Sequence, residues 1–151
     1  MFRDKVIVGG IIGVVADIAM DLFQYPMWKL DIVKHPLSHY AASLFLDPQA
    51  LHHTMIGSIV SFLADYIYAA LLGILFVYMA GCAGKRHWLA KGLIFGAVLW
   101  LVSFGGLRAL PIVKLRQVIP EQVVYYLFFH LVFGAALGWL WQAYRERLAD
   151  D

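Results

Sequence analysis

Residues 13–28 read "GVVADIAMDLFQYPMW", an apolar run interrupted by Asp17 and Asp21. Side chains four apart on an α-helix share one face, so both carboxyls point the same way. Extended to residues 6–28, the run is long enough to cross a bilayer, which takes about 20 residues at about 1.5 Å of rise each. A charged group at mid-helix costs at least about 2.5–3.5 kcal/mol there, so two acids in such a helix need partners, a cation or protons.

Three more apolar stretches have the same character, at residues 54–80, 88–110 and 122–144. The 151-residue chain is 62% hydrophobic and 15% charged, well below the charge of an ordinary soluble domain. A domain of this size cannot hide so much apolar surface in its own core, so lipid must cover the rest. Nothing alternates with period two, and open strand edges are unsatisfied in lipid. The expectation is an all-α fold, a single domain over residues 1–151 forming a four-helix membrane bundle. The first stretch is too long for a cleaved leader and carries acids where a short apolar region would end, so it is read as a retained helix. A net charge of +2 without a basic patch argues against nucleic acid as a partner. The single cysteine, Cys82, rules out an internal disulfide and a CxxC motif.

The connection after the first stretch, "KHPLSHYAASLFLDP", has its own order. Pro36 suits a first helical position, and Leu37, Tyr40, Ala41, Leu44 and Phe45 fall on one face at 3.6 spacing. This predicts a short interfacial helix with that face docked and Ser38 and Ala42 turned away. His35 and His39, four apart, with His52 and His53 at the start of the second stretch, form a possible outer metal site, imidazole being the usual zinc or copper ligand.

A weak repeat relates the two halves. "DYIYAALLGIL" from Asp65 aligns without gaps to "HLVFGAALGWL" from His130, and Gly9/Gly13 in the first stretch match Gly92/Gly96 in the third. Such repeats have the same orientation and are related by an axis along the membrane normal. Counting by threes and fours gives inward stripes of Gly10, Gly13, Asp17, Asp21, Gln24 and Trp28; Gly57, Ser61, Asp65, Ala69 and Gly73; Gly92, Gly96, Ser103 and Gly106; and Gln122, Tyr126, His130, Gly134 and Gly138. Small residues let helix backbones approach closely. Asp17, Asp21, Asp65 and His130 then converge on one layer near mid-depth, a set suited to a small cation, with a divalent ion as candidate cofactor, or to protons. The alternative is an accessory or scaffold subunit whose buried acids only bridge helices, with Arg108 reaching down to Asp21 as a second structural option. A metal-dependent hydrolase would need more imidazole ligands and a water-activating base, and haem would need a second deep axial ligand. No catalytic residue is therefore assigned.

"KGLIFGAVLWLVSFGGL" followed by "FFHLVFGAALGWLWQAYRERL" resembles the YagU-like group of small bacterial inner-membrane proteins: a Gly-rich span after a basic turn, then a histidine early in a final span ending in aromatics and a basic tail. The resemblance covers mainly the C-terminal half. It implies a bacterial inner-membrane protein, carries over His130 alone, and brings no activity with it. Exposed GxxxG faces and the thinness of four helices suggest a homo-oligomer or a larger membrane complex.

Arg3, Lys5, Lys85, Arg86, Lys91, Arg145 and Arg147 flank one side of the four stretches, against Lys29, Lys34, Arg108, Lys114 and Arg116 on the other. By the positive-inside rule both termini face the cytoplasm. Cys82 should then be shielded from impermeant thiol reagents added to intact cells, and a cysteine at Ser43 labelled. The reverse pattern contradicts this orientation.

Overall fold

The computed structural model describes residues 4–47, 49, 51, 54–84, 86–107, 114, 115 and 119–150, the last three of these as backbone alone. Its elements are α1 (Lys5–Lys29), α2 (Leu37–Ala42), α3 (Met55–Cys82), α4 (Trp88–Trp100) running into a π-helical turn (Leu101–Gly106), and α5 (Pro120–Asp150). There is no strand among the described residues, and the fold is all-α. Four helices are long and apolar enough to cross a membrane: Lys5–Lys29, Met55–Cys82, Trp88–Gly106 and Pro120–Arg147. Their outward faces carry large apolar side chains such as Leu22, Ile59, Ile94 and Val124, as a lipid-facing surface does. This is the architecture of a multi-pass membrane protein.

Helix starts are set by local chemistry. Asp4 accepts hydrogen bonds from the N–H groups of Val6 and Ile7 and so caps α1. Thr54 caps α3 by accepting from the Gly57 N–H at 2.9 Å.

Packing proceeds in two pairs. α1 lies on α3 through Gly9, Gly13 and Gly73, where a Cβ at Gly13 would collide with the Ala69 carbonyl and one at Gly73 with the Gly9 carbonyl. α4 lies on α5 through Gly92, Gly96 and Gly134 in the same manner, with Gly96 over the His130 carbonyl. Each pair is one half of the sequence repeat, but the second crossing is displaced by a turn. A Cβ at Gly13 would strike the Ala69 carbonyl, whereas one at its counterpart Gly96 would strike the His130 carbonyl, and it is Gly92 that lies against the carbonyl of Gly134, the residue aligned with Ala69.

The pairs join asymmetrically. α1 packs along α5 and makes one wall continuous, while α3 and α4, the equivalent partners across the repeat axis, scarcely touch. The π-helical turn adds a residue to the local repeat and rotates the residues C-terminal to it. Gly106, expected to face inward, is exposed with nothing near a Cβ position, while Ser103 and Phe104 stay half-buried.

The interfacial helix is present and shorter than expected; Leu37 and Tyr40 of its expected face pack on the core, but the rest of that face does not. Pro36 is its N-cap residue, in extended conformation, rather than its first helical residue. Ser38 and Ala42, expected to face away, are fully buried, and Ser38 Oγ meets the Tyr25 hydroxyl at 3.2 Å. Leu44 and Phe45 are 47% and 67% exposed. The buried side of α2 holds Ser38, His39 and Ala42, with Leu37 and Tyr40 partly buried beside them. Ser43 is also buried, with its Oγ donating to the Tyr40 carbonyl at 2.7 Å, so Phe45 is the labelling position that tests topology opposite the exposed Cys82.

Gly13→Val should cost at least about 1–3 kcal/mol by overpacking, since the obstacle is backbone and cannot rotate aside. Gly106→Ala should stay within about 0.5 kcal/mol. Unfolding in detergent micelles measures both; equal tolerance would mean that the backbones are not in contact at Gly13.

Candidate functional site

Asp17 and Asp21 on α1 and Asp65 on α3 are buried together, each offering one carboxylate oxygen within 4.8 Å of the others. The α1–α3 crossing causes this. Once Gly13 lies on Ala69, the next turn of each helix places Asp17 beside Asp65. Counted from Met55 at 1.5 Å per residue, Asp65 is roughly 15 Å along α3, about half the thickness of a hydrocarbon core.

The three acids differ in their partners. Asp21 accepts a hydrogen bond from Gln24 Nε2, and Gln24 Oε1 accepts from the Leu37 N–H at 3.0 Å, where α2 begins. Gln24 is completely buried, so it is a structural tie between α1 and the loop leading to α2. α5 holds the same loop from its other side: Tyr126 donates to the His35 carbonyl at 2.8 Å and Gln122 to the Ile32 carbonyl at 3.3 Å. Asp17 and Asp65 behave otherwise. They are 2% and 5% exposed, and one carboxylate oxygen of each is buried with no hydrogen-bond partner among the described residues. Ser61, one turn from Asp65, turns its hydroxyl to the Gly57 carbonyl at 2.8 Å.

His130 does not join the three carboxyls. It donates through Nδ1 to the Tyr126 carbonyl at 2.7 Å, which leaves the lone pair of the neutral ring on Nε2. It lines, with Asp17 and Asp65, a cavity of about 560 Å³ between α3 and α4. Helical spacing alone puts all four ionisable groups in one layer; the geometry separates a carboxyl triad from an imidazole on the facing wall. Phe104, set by the π-helical turn, stacks on Tyr126 at 4.6 Å between ring centres and meets the edge of His130 at 6.0 Å.

Of the outer histidines, His35 and His39 are neighbours, with ring centres 6.3 Å apart and His39 edge-on to Trp28 at 5.4 Å. His52, His53 and Arg108 lie outside the described residues. Residue patterns did not point to the role of Gln24 in tying α2 down, or of Phe104 in walling the cavity. A buried amide in the polar stripe was a visible signal for the first; no residue pattern announces a π-helical turn. Compared with protein-family models, curated proteins and solved structures, the chain finds no match.

Gln24→Ala leaves both Asp21 and the Leu37 N–H without their bond. It should cost about 1–3 kcal/mol and speed amide exchange at Leu37, read by hydrogen–deuterium exchange. Unchanged exchange would show that α2 is held by packing alone.

Proposed function

We propose that this multi-pass membrane protein binds a cation or protons at Asp17 and Asp65, with Asp21 adding negative charge beside them and His130 serving as a base across the cavity. The observation that carries the reading is a pair of buried carboxyls, Asp17 and Asp65, each with one oxygen that has no hydrogen-bond partner among the described residues, grouped together and lining one cavity. Buried polar atoms in folded proteins are nearly always bonded, and an exception marks a place where something else binds or reacts. Ionisable groups inside membrane helices are functional by default for the same reason. Two carboxyls this close cannot both carry charge without a compensating cation or proton.

The scaffold alternative accounts for these acids less well. Helix packing is already supplied by glycine contacts, and a bridging role would leave the carboxyls of Asp17 and Asp65 hydrogen-bonded across the interface. Asp21, bonded to Gln24, fits that role and is the structural member of the set. A hydrolytic reaction lacks support in the donor set, which pairs carboxyls with one imidazole on a separate wall. A bacterial inner-membrane location, as in the YagU-like group, and cytoplasmic termini, from the lysine and arginine asymmetry, complete the reading; the GxxxG faces that suggested a homo-oligomer are taken up by helix contacts within the chain.

Asp17→Asn and Asp65→Asn should each lower cation binding or proton flux in proteoliposomes at least tenfold while leaving the melting temperature unchanged or raised. Asp4→Asn, which keeps a competent helix cap, should alter neither. Binding should also weaken as pH falls, because protonation removes the negative charge that attracts the cation. Unaltered flux with lost stability in both variants would return the acids to a scaffold role.

A further inference from the structure

The cavity behind Asp17 and Asp65 differs in chemistry from a site for a hydrated inorganic ion. Its walls are overwhelmingly apolar: Leu63, Ile67 and Leu71 from α3, Leu99 and Leu107 from the α4 segment, and Phe133 from α5. The polar residues among its walls are Asp17, Asp65, His130, Tyr40, Tyr68 and Ser103. Calcium takes six to eight oxygen ligands and magnesium a near-octahedral set, which these walls do not offer.

The cavity is also open sideways. It lies where α3 and α4 fail to close, and Leu63, Ile67 and Leu71 at its rim are 58%, 53% and 59% exposed on faces that a bilayer would cover. One end is roofed by Leu37 of α2 and by Leu44 and Phe45 in the turn that follows it, all of which line the cavity. The residues that amphipathic spacing assigns to a lipid-docking face are thus the rim of a cleft. At about 560 Å³ the space falls within the range of small-molecule pockets.

We infer that the cleft admits, from within the bilayer, a lipophilic organic cation whose ammonium or equivalent charged centre pairs with Asp17 and Asp65 and whose hydrocarbon body fills the apolar space between α3 and α4. This rests on the cation-binding reading above and names the class of cation. Charge complementarity selects this occupant over a lipid acyl chain, which would fill the walls but leave two buried carboxyls unanswered. Phe104, held in its stack with Tyr126, presents an aromatic surface beside the path, and a cation near an aromatic face is favoured. No bond is made or broken; the ligand replaces the protons on the acids it meets.

The test is equilibrium dialysis of tetraphenylphosphonium against the purified full-length protein in detergent, with sodium, potassium, magnesium and calcium measured in parallel on the same preparation. The expected result is saturable binding of tetraphenylphosphonium that competes with protons, falls at least tenfold in Asp65→Asn, and falls comparably in Ser103→Trp, which fills the cleft and leaves the acids in place. Ala64→Phe, on the opposite wall, serves if Ser103→Trp fails to fold, as judged by its melting transition. Binding of an inorganic cation or protons at the acids with none of tetraphenylphosphonium overturns this inference and leaves the simpler cation reading standing. Tetraphenylphosphonium binding that survives Asp65→Asn also overturns it, assigning the cleft to apolar molecules in general. Absence of acid-dependent binding of any of these ions, together with proton flux in proteoliposomes that Asp65→Asn leaves unchanged, defeats both readings.

Discussion

Backbone-on-backbone contact at the glycines governs this molecule. With lipid on the outside there is no hydrophobic drive to bring helices together, so association depends on how closely their surfaces fit. Gly13 against Ala69 and Gly92 against Gly134 let main chains touch where any side chain would hold them apart. The acidic site is a consequence of the first contact. Asp17 and Asp65 stand one turn beyond it on each helix, and the crossing that buries the glycines buries the carboxyls as well.

The second half of the chain repeats the device with a one-turn displacement, and that small difference has a large result. Gly96 lies over His130, so the imidazole belongs to a closely packed crossing and its Nδ1 is committed to its own helix. In the first half the equivalent level holds two carboxyls without such commitments. Symmetry fails again between the halves. α1 and α5 close one seam, while α3 and α4 leave the other open, with the π-helical turn and α2 shaping its edges. An asymmetric bundle of this kind encloses a cavity that four evenly packed helices would fill.

Much of this was legible from residue patterns, and the losses have physical causes. Helix number and type come from long apolar runs and the absence of any two-residue alternation, both of which survive tertiary packing. The meeting of Asp17, Asp21 and Asp65 was readable because 3.6-residue periodicity holds through α1 and α3, whereas the GxxxG faces, expected to be exposed, pack within the chain and use Gly9 rather than Gly10. The periodicity broke at Leu101–Gly106, where an extra residue per turn rotates the chain, so Gly106 points outward. The facing of α2 was misjudged in part because amphipathic counting assigns only large apolar side chains to the buried side, whereas a helix tied to α1 through Gln24 and Tyr25 buries Ser38, His39 and Ala42 and leaves Leu44 and Phe45, beyond its end, exposed. The open seam was not readable at all, since it arises from the difference between two helix crossings.

The central claim is that Asp17 and Asp65 form one site that answers to a cation, while Asp21 is tied into the fold. Carbon-13 NMR of the aspartate side-chain carboxyls, assigned by single Asp→Asn variants, reads each group separately. On titration with the bound cation, the signals of Asp17 and Asp65 should shift together with a common midpoint, and that of Asp21 should move least. Three carboxyl signals that stay fixed across pH and across every cation offered would contradict the account and make the cluster a feature of packing alone.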